Sequence, residues 1–261
     1  MNAALPSVFV SHGAPTLPLD DIPARAFLSS LGGSLGKPRA IVAVSAHTIG
    51  QRTVVFTAPR MKAVHDFRGF PDALYKLRYA PPGDPALAGR VASLLAGAGL
   101  DAAGPLEADG LDHGIWVPLL LAYPEADVPV VVVSLDAGLD AALHLAVGRA
   151  LAPLRAEGVL VMASGAATHN LREFFSGRPD PDAPPAPYAA AFADWVTDAV
   201  ARGDLEALAD WQRRAPNAQR AHPTPEHFVP LLVAAGAGGP GRPLHESFAF
   251  GMLGMHAYAF G

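Results

Sequence analysis

Four stretches of the chain rich in apolar residues each stop at a histidine: SVFVSHG at His12, IVAVSAHT at His47, LVMASGAATHN at His169 and, less strand-like, PLEADGLDHG at His113. In an open α/β sheet, ligands bind in the crevice beyond the carboxyl ends of the strands. Imidazoles delivered there by several strands converge even when they are remote in sequence. A fifth, His227, lies in HPTPEHFVPLL towards the far end of the chain.

Strands are predicted at Ser7–Ser11, Ala40–Ser45, Thr53–Thr57, Val128–Ser134 and Gly158–Ala163. They are rich in Val and mostly too uniformly apolar to face water on one side. Helical patterns alternate with them at Pro23–Leu31, Pro85–Ala98, Leu139–Glu157, Ala186–Ala201 and Leu205–Gln212, with Pro or Asp near several starts and Gly near several ends. The alternation predicts an α/β fold: a single domain over residues 1–261, with a mostly parallel central sheet and helices on both faces. Between Pro59 and Pro85 runs a polar and aromatic insertion. A loop this long, with this many rings and prolines, needs something to pack on, and it is read as a flap over a substrate. The proline-rich GRPDPDAPPAP from Gly177 is read as a surface connection.

Composition narrows the chemistry. The chain has no cysteine, which excludes thiolate metal sites, iron–sulfur clusters and a nucleophilic thiol, and leaves imidazole and carboxylate as ligands. The net charge of −5 comes from interspersed acids and bases without a basic stripe, so nucleic acid is not expected as a partner. Apolar runs break well before the ~18 residues a membrane helix needs, so no membrane partner is expected either. The N-terminus lacks a basic region ahead of its first strand, which points away from a signal peptide and towards a cytoplasmic protein.

Each histidine has a bland and a sharp reading. His12 and His47 sit at the mouths of two strands, where either a turn-stabilising hydrogen bond to a carbonyl or a metal would occupy them. Neutral imidazole suits zinc, iron and copper alike. His227 is placed in the first turn of a helix, with Thr224 as N-cap, Pro225 at N1 and Glu226 at the positive helix end, which disfavours the imidazolium. Glu226 and His222 are alternative ligands at that place. His169 follows the small pair Ser164-Gly165 and precedes Asn170, whose amide could hold the ring; it is either a catalytic base or a metal ligand. His113 is either a loop residue or a proton donor with its pKa raised by the adjacent Asp112. His65, in the insertion, is a candidate substrate contact. His144, His245 and His256 are read as structural.

No HExxH, no Gly-x-Ser-x-Gly, no GxxxxGK[ST] and no GxGxxG after a first strand is present. What remains is a metal held by two or three imidazoles, with further histidines free to move protons. The ordered set SHGAPT, SAHT, HDFRGFP, LDHGIW, SGAATHNL and HPTPEHFVPLL, spread over nearly the whole chain, resembles the class III extradiol ring-cleavage dioxygenases, and among them the DOPA 4,5-dioxygenase-like branch. That resemblance implies one divalent metal ion per chain on His12, His47 and His227. It makes His169 a fourth contact or the acid/base, and has His113 assist from the substrate side. It also implies Fe(II) for activity and Zn(II) as an alternative occupant, since zinc lies above iron in the usual affinity order. The chain departs from the protocatechuate-type members, in which a glutamate completes the ligand set; here the matching position is His227, with Glu226 beside it. The implied reaction opens the ring of a catechol, DOPA-like or similar, outside the diol with both atoms of O2. The partners are then a small aromatic diol and O2, with a homodimer left open. A zinc-dependent hydrolase on the same histidines, with His169 or Glu226 as base, is the alternative from another class.

Overall fold

The computed structural model describes residues 4–177, 179–180 and 182–261. Expectations placed on the N-terminal tip, and at Arg178 and Pro181 on the proline-rich connection, fall on positions outside the described residues.

The first half of the chain runs β1 (Ser7–Ser11), α1 (Pro23–Leu35), β2 (Ala40–Gly50), β3 (Thr53–Thr57), β4 (Lys62–Ala63), α2 (Pro85–Gly97), β5 (Ala102–Glu107), β6 (Gly110–Leu111) and α3 (His113–Ala122). The second half runs β7 (Val130–Asp136), α4 (Ala141–Leu151), β8 (Val159–Gly165), α5 (Leu171–Gly177), α6 (Pro187–Arg202), α7 (Leu205–Ala209), α8 (Trp211–Arg214), α9 (Ala218–Ala221) and α10 (Val229–Gly238). The chain closes with β9 (Gly241–His245), β10 (Phe248–Ala249), β11 (Leu253–Gly254) and β12 (Ala257–Phe260).

Eight strands form one sheet in the order β5-β3-β7-β2-β8-β1-β12-β9. Its centre, β7-β2-β8-β1, is parallel throughout. Antiparallel pairings of β3 with β7 and of β12 with β1 flank it. Both faces of the centre are buried: Phe9, Val42, Val44 and Val161 point into one core with α4 and α10, while Val8, Val10, Ile41 and Ala43 point into another with α1 and α3. This is why the central strands read as continuous apolar runs.

Three expected helices differ. The pattern over Leu139–Glu157 is α4 followed by a tighter 3-10 segment, Ala152–Glu157, where Pro153 cannot extend the hydrogen-bond ladder. Leu205–Gln212 divides into α7 and α8 at Asp210. The helix expected to begin at Pro225 starts at Val229 instead: the Thr224 hydroxyl donates to Glu226 Oε1 (2.9 Å) and caps nothing, leaving His227 in the turn ahead of α10.

The insertion does find something to pack on. Met61, Leu74 and Tyr79 are fully or almost fully buried in the core shared with α3, and β4 pairs with β6 in parallel.

One close approach fixes the site. The amide of His12 donates to Gly165 O (3.0 Å), and the amide of Ala166 donates to His227 O (3.0 Å). A Cβ on Gly165 would lie 2.1 Å from His227 O. The small residue after Ser164 therefore admits the backbone of the segment that carries His227. Gly165→Ala is expected to destabilise the protein by about 1–3 kcal/mol, the usual range for overpacking, read as a lowered denaturant midpoint with unchanged m-value.

Candidate metal centre

β1 delivers His12 one residue beyond its end, where the ring is buried and its Nδ1 faces Ser164 Oγ at 2.9 Å. β2 runs further than its apolar stretch, so His47 lies within the strand. There the register against β7 shifts from Val44 opposite Val133 to Ile49 opposite Leu135. Such a bulge re-aims side chains, and His47 Nε2 comes within 3.1 Å of His12 Nε2 and 3.3 Å of His227 Nε2. These three imidazoles form a set whose ligand atoms all lie within 4.8 Å of one another.

The protonation pattern fits a cation. His227 Nδ1 lies 3.0 Å from Glu226 Oε1; a carboxylate only accepts, so Nδ1 donates and Nε2 is the nitrogen left facing the other rings. Burial opposes the Glu226 charge, but the hydrogen bonds from His227 and Thr224 outweigh it and hold the carboxyl at about 2. Burial first, and neighbouring histidines second, push His12 well below the ordinary imidazole range and His47 to about 3. Neutral rings whose Nε2 atoms face one another have too few protons to satisfy every contact. Nitrogen bonds of about 2.0–2.1 Å to one metal place neighbouring donors about 2.9–3.4 Å apart, the spacing seen between His47 and each of the other two rings. The Glu226–His227 pair has the arrangement that commonly orients a metal-bound histidine.

His169 stacks on His227, ring centroids 3.5 Å apart and nearly parallel. It shares a ligand-atom set with Glu226 and His227, not with His12 and His47. Burial, then His227, depresses its pKa to about 2. The expected hold by Asn170 is not made: Asn170 Oδ1 accepts from the Glu173 amide (3.0 Å) and its Nδ2 donates to Arg220 O (2.7 Å), a local capping role. The position of His169 is set instead by its own amide, which donates to Ala221 O (2.8 Å).

His113 opens α3 and is buried, in place of the loop position weighed for it. Its ring centroid lies 4.0 Å from that of His47 and 5.3 Å from that of His12. The adjacent Asp112 does not touch the ring; it is turned away to accept the hydroxyls of Ser45 (2.7 Å) and Thr48, the residues on either side of Ala46-His47. The carboxylate that meets His113 is Asp66, from the insertion. Nothing in the sequence marks Asp66 beyond its place next to His65, because an acid in a polar loop looks like any solvated acid until the loop folds.

His65 does not join the cluster. It is half-buried among Phe67, Tyr75 and Trp116, with ring centroids 5.6–5.7 Å away, and reaches the histidines only through Phe67, which meets His113 edge-on at 5.9 Å. His222 is not in these ligand-atom sets: its Nε2 donates to Ala167 O (3.0 Å), and its ring is enclosed by Phe192, Trp211 and Phe228. Glu226 meets His227 Nδ1 through Oε1, and it shares a ligand-atom set with His169 and His227 but not with His12 and His47. His144 accepts the Asp136 amide and donates to Asp140 O, a structural role as expected.

Residues 8–261 match the family described as the catalytic LigB subunit of aromatic ring-opening dioxygenase. The chain is 42% identical over 258 residues to a 4,5-DOPA dioxygenase extradiol of Beta vulgaris, covering 97% of this chain and 95% of that one. It is 38% identical over 267 residues to the protein of the same name from Escherichia coli K12, covering 100% and 96%. A solved structure of an uncharacterized protein from Escherichia coli K12 superimposes with a TM-score of 0.79 at 33% identity, over 98% of this chain and all of the other. A match that begins at the second residue of the first strand and runs to the last residue leaves only Ser7 of the sheet outside it: the chain belongs to the LigB family of aromatic ring-opening dioxygenases.

Proposed function

We propose that the protein is a metal-dependent extradiol dioxygenase that opens the ring of a catechol, DOPA-like or similar, and incorporates both atoms of O2. The observation that carries this reading is the convergence of three Nε2 atoms, 3.1 and 3.3 Å apart along the chain of contacts, with two further histidines packed against them. A structural metal needs no spare proton carriers; a reaction that deprotonates a diol and then protonates an oxygen does. Family membership gives that need its chemistry.

His12, His47 and His227 are the residues that would hold the metal. Fe(II) is the active occupant in this reading and Zn(II) an alternative, since an all-imidazole set accommodates either. When bound, the ion supplies open positions at which a diol and dioxygen can meet. The chain's own residues do the rest. A ring nitrogen of His169 takes a proton from one catechol hydroxyl. His113, with Nδ1 occupied by Asp66, offers Nε2 to move a proton on the other side. Phe67, beside His113, and His65 behind it line the approach with rings, which suits a flat aromatic substrate. Among the described residues no helix is long and apolar enough to cross a membrane.

The test is oxygen uptake with a panel of catechols after anaerobic reconstitution with Fe(II). The expected result is catechol-dependent uptake with a yellow ring-opened product. Absence of uptake with every catechol, together with zinc-dependent hydrolysis, would replace this reading with the hydrolytic one.

A further inference from the structure

We infer that Asp66 is a positioning residue for His113: its carboxylate fixes the proton on Nδ1 and so makes Nε2 the nitrogen available for proton transfer. This deepens the dioxygenase reading and rests on it.

The ring nitrogen Nδ1 of His113 lies 2.9 Å from Asp66 Oδ1 and 3.0 Å from Oδ2, and the His113 backbone amide donates to Oδ1 at 3.2 Å. Both carboxylate oxygens are thus spent on one residue. Since a carboxylate only accepts, the ring must present N–H at Nδ1. The reach of Asp66 is built in by the backbone around it. The Val64 amide donates to Leu111 O (2.8 Å), and the Trp116 indole donates to Val64 O (3.0 Å). Val64, two residues ahead of Asp66, is therefore tied to residues on both sides of His113. Phe67 closes the arrangement, edge-on to the His113 ring. The insertion thereby becomes part of the proton-handling apparatus as well as a wall of the site.

A purely structural role is the competing explanation, since an acid accepting the first amide of α3 also steadies a helix start. A double-mutant cycle with His113 separates the two. In the Fe(II)-loaded enzyme with catechol, Asp66→Ala should lower kcat by about 10- to 100-fold, the usual range for a partner that orients a site histidine, with KM changed little. In the His113→Ala background the same substitution should cost nothing further. In metal-free protein, long-range 1H–15N spectra should show His113 as a single Nδ1–H tautomer, and Asp66→Ala should shift it towards Nε2–H. Asp66→Asn, which keeps the side-chain volume, should fall between wild type and Asp66→Ala in both readouts and covers the case that Asp66→Ala misfolds.

Equal losses of kcat with and without His113, or an Nδ1–H tautomer that survives removal of the carboxylate, would overturn the inference. If the wild-type protein opens no catechol, the dioxygenase reading fails; the tautomer measurement needs neither metal nor substrate and still decides the role of Asp66.

Discussion

His227→Ala is expected to strip the site of its metal and, with it, of catechol-dependent oxygen uptake. His227 contributes the third Nε2, 3.3 Å from that of His47, and is the one ring of the three whose tautomer a carboxylate fixes. If a four-ligand zinc site contributes about 10–16 kcal/mol, one ligand's share is about 3 kcal/mol, which weakens binding on the order of 10²-fold or more. The backbone need not follow: the contact that seats this segment uses the His227 carbonyl, accepted from Ala166, and survives truncation of the side chain. Metal content after dialysis, with circular dichroism to confirm the fold, checks the expectation. Wild-type metal affinity in the variant would remove His227 from the ligand set. Glu226→Gln should act in the same direction but more weakly, by about 10- to 100-fold in metal affinity, because it loosens a ligand without deleting it.

The second large effect is expected at His169, and on rate instead of metal. His169→Ala should leave metal bound and slow turnover by about 10²- to 10⁴-fold, the range for removal of a general acid–base group. Its ring lies against the face of His227, and its ligand-atom set excludes His12 and His47. The loop that carries it is held by its own amide on Ala221 O and by Asn170 on Arg220 O, so alanine at 169 leaves the loop's anchors in place. Single-turnover kinetics beside metal analysis distinguishes the outcomes: normal turnover would refute the proton-carrying role, and loss of metal would make the residue a fourth ligand.

How much of this was visible beforehand differs from element to element. β1 and β3 fall on the expected residues, and β7 and β8 within two of them, because a strand buried on both faces needs an unbroken apolar run and little else in a sequence has that signature. β9 and β12 gave no such signal; GRPLH carries a proline and AYAF is four residues long, and they exist as strands because β1 offers an edge to β12 and β12 in turn offers one to β9. α3 was not read as a helix, and the start of α10 was placed four residues early at Pro225, because both are apolar almost all round, with no polar face to reveal a period. Their burial is a property of what surrounds them.

The sequence by itself determined which residue types end the central strands, and hence that imidazoles would gather at one end of a parallel sheet with no thiol to compete. It also narrowed the ligand choice at the far motif to His222, Glu226 or His227. Only the tertiary structure shows what each of the three meets. His222 is spent on Ala167 O inside an aromatic core, and Glu226 is turned to the back of His227. The same holds for the partner of His113: the neighbour in sequence, Asp112, is drawn off by Ser45 and Thr48, while Asp66 arrives from 47 residues away. Hydrogen bonds act over about 3 Å in space. Adjacency along a chain does not set that distance, but the packing of an insertion against the first turn of a helix does.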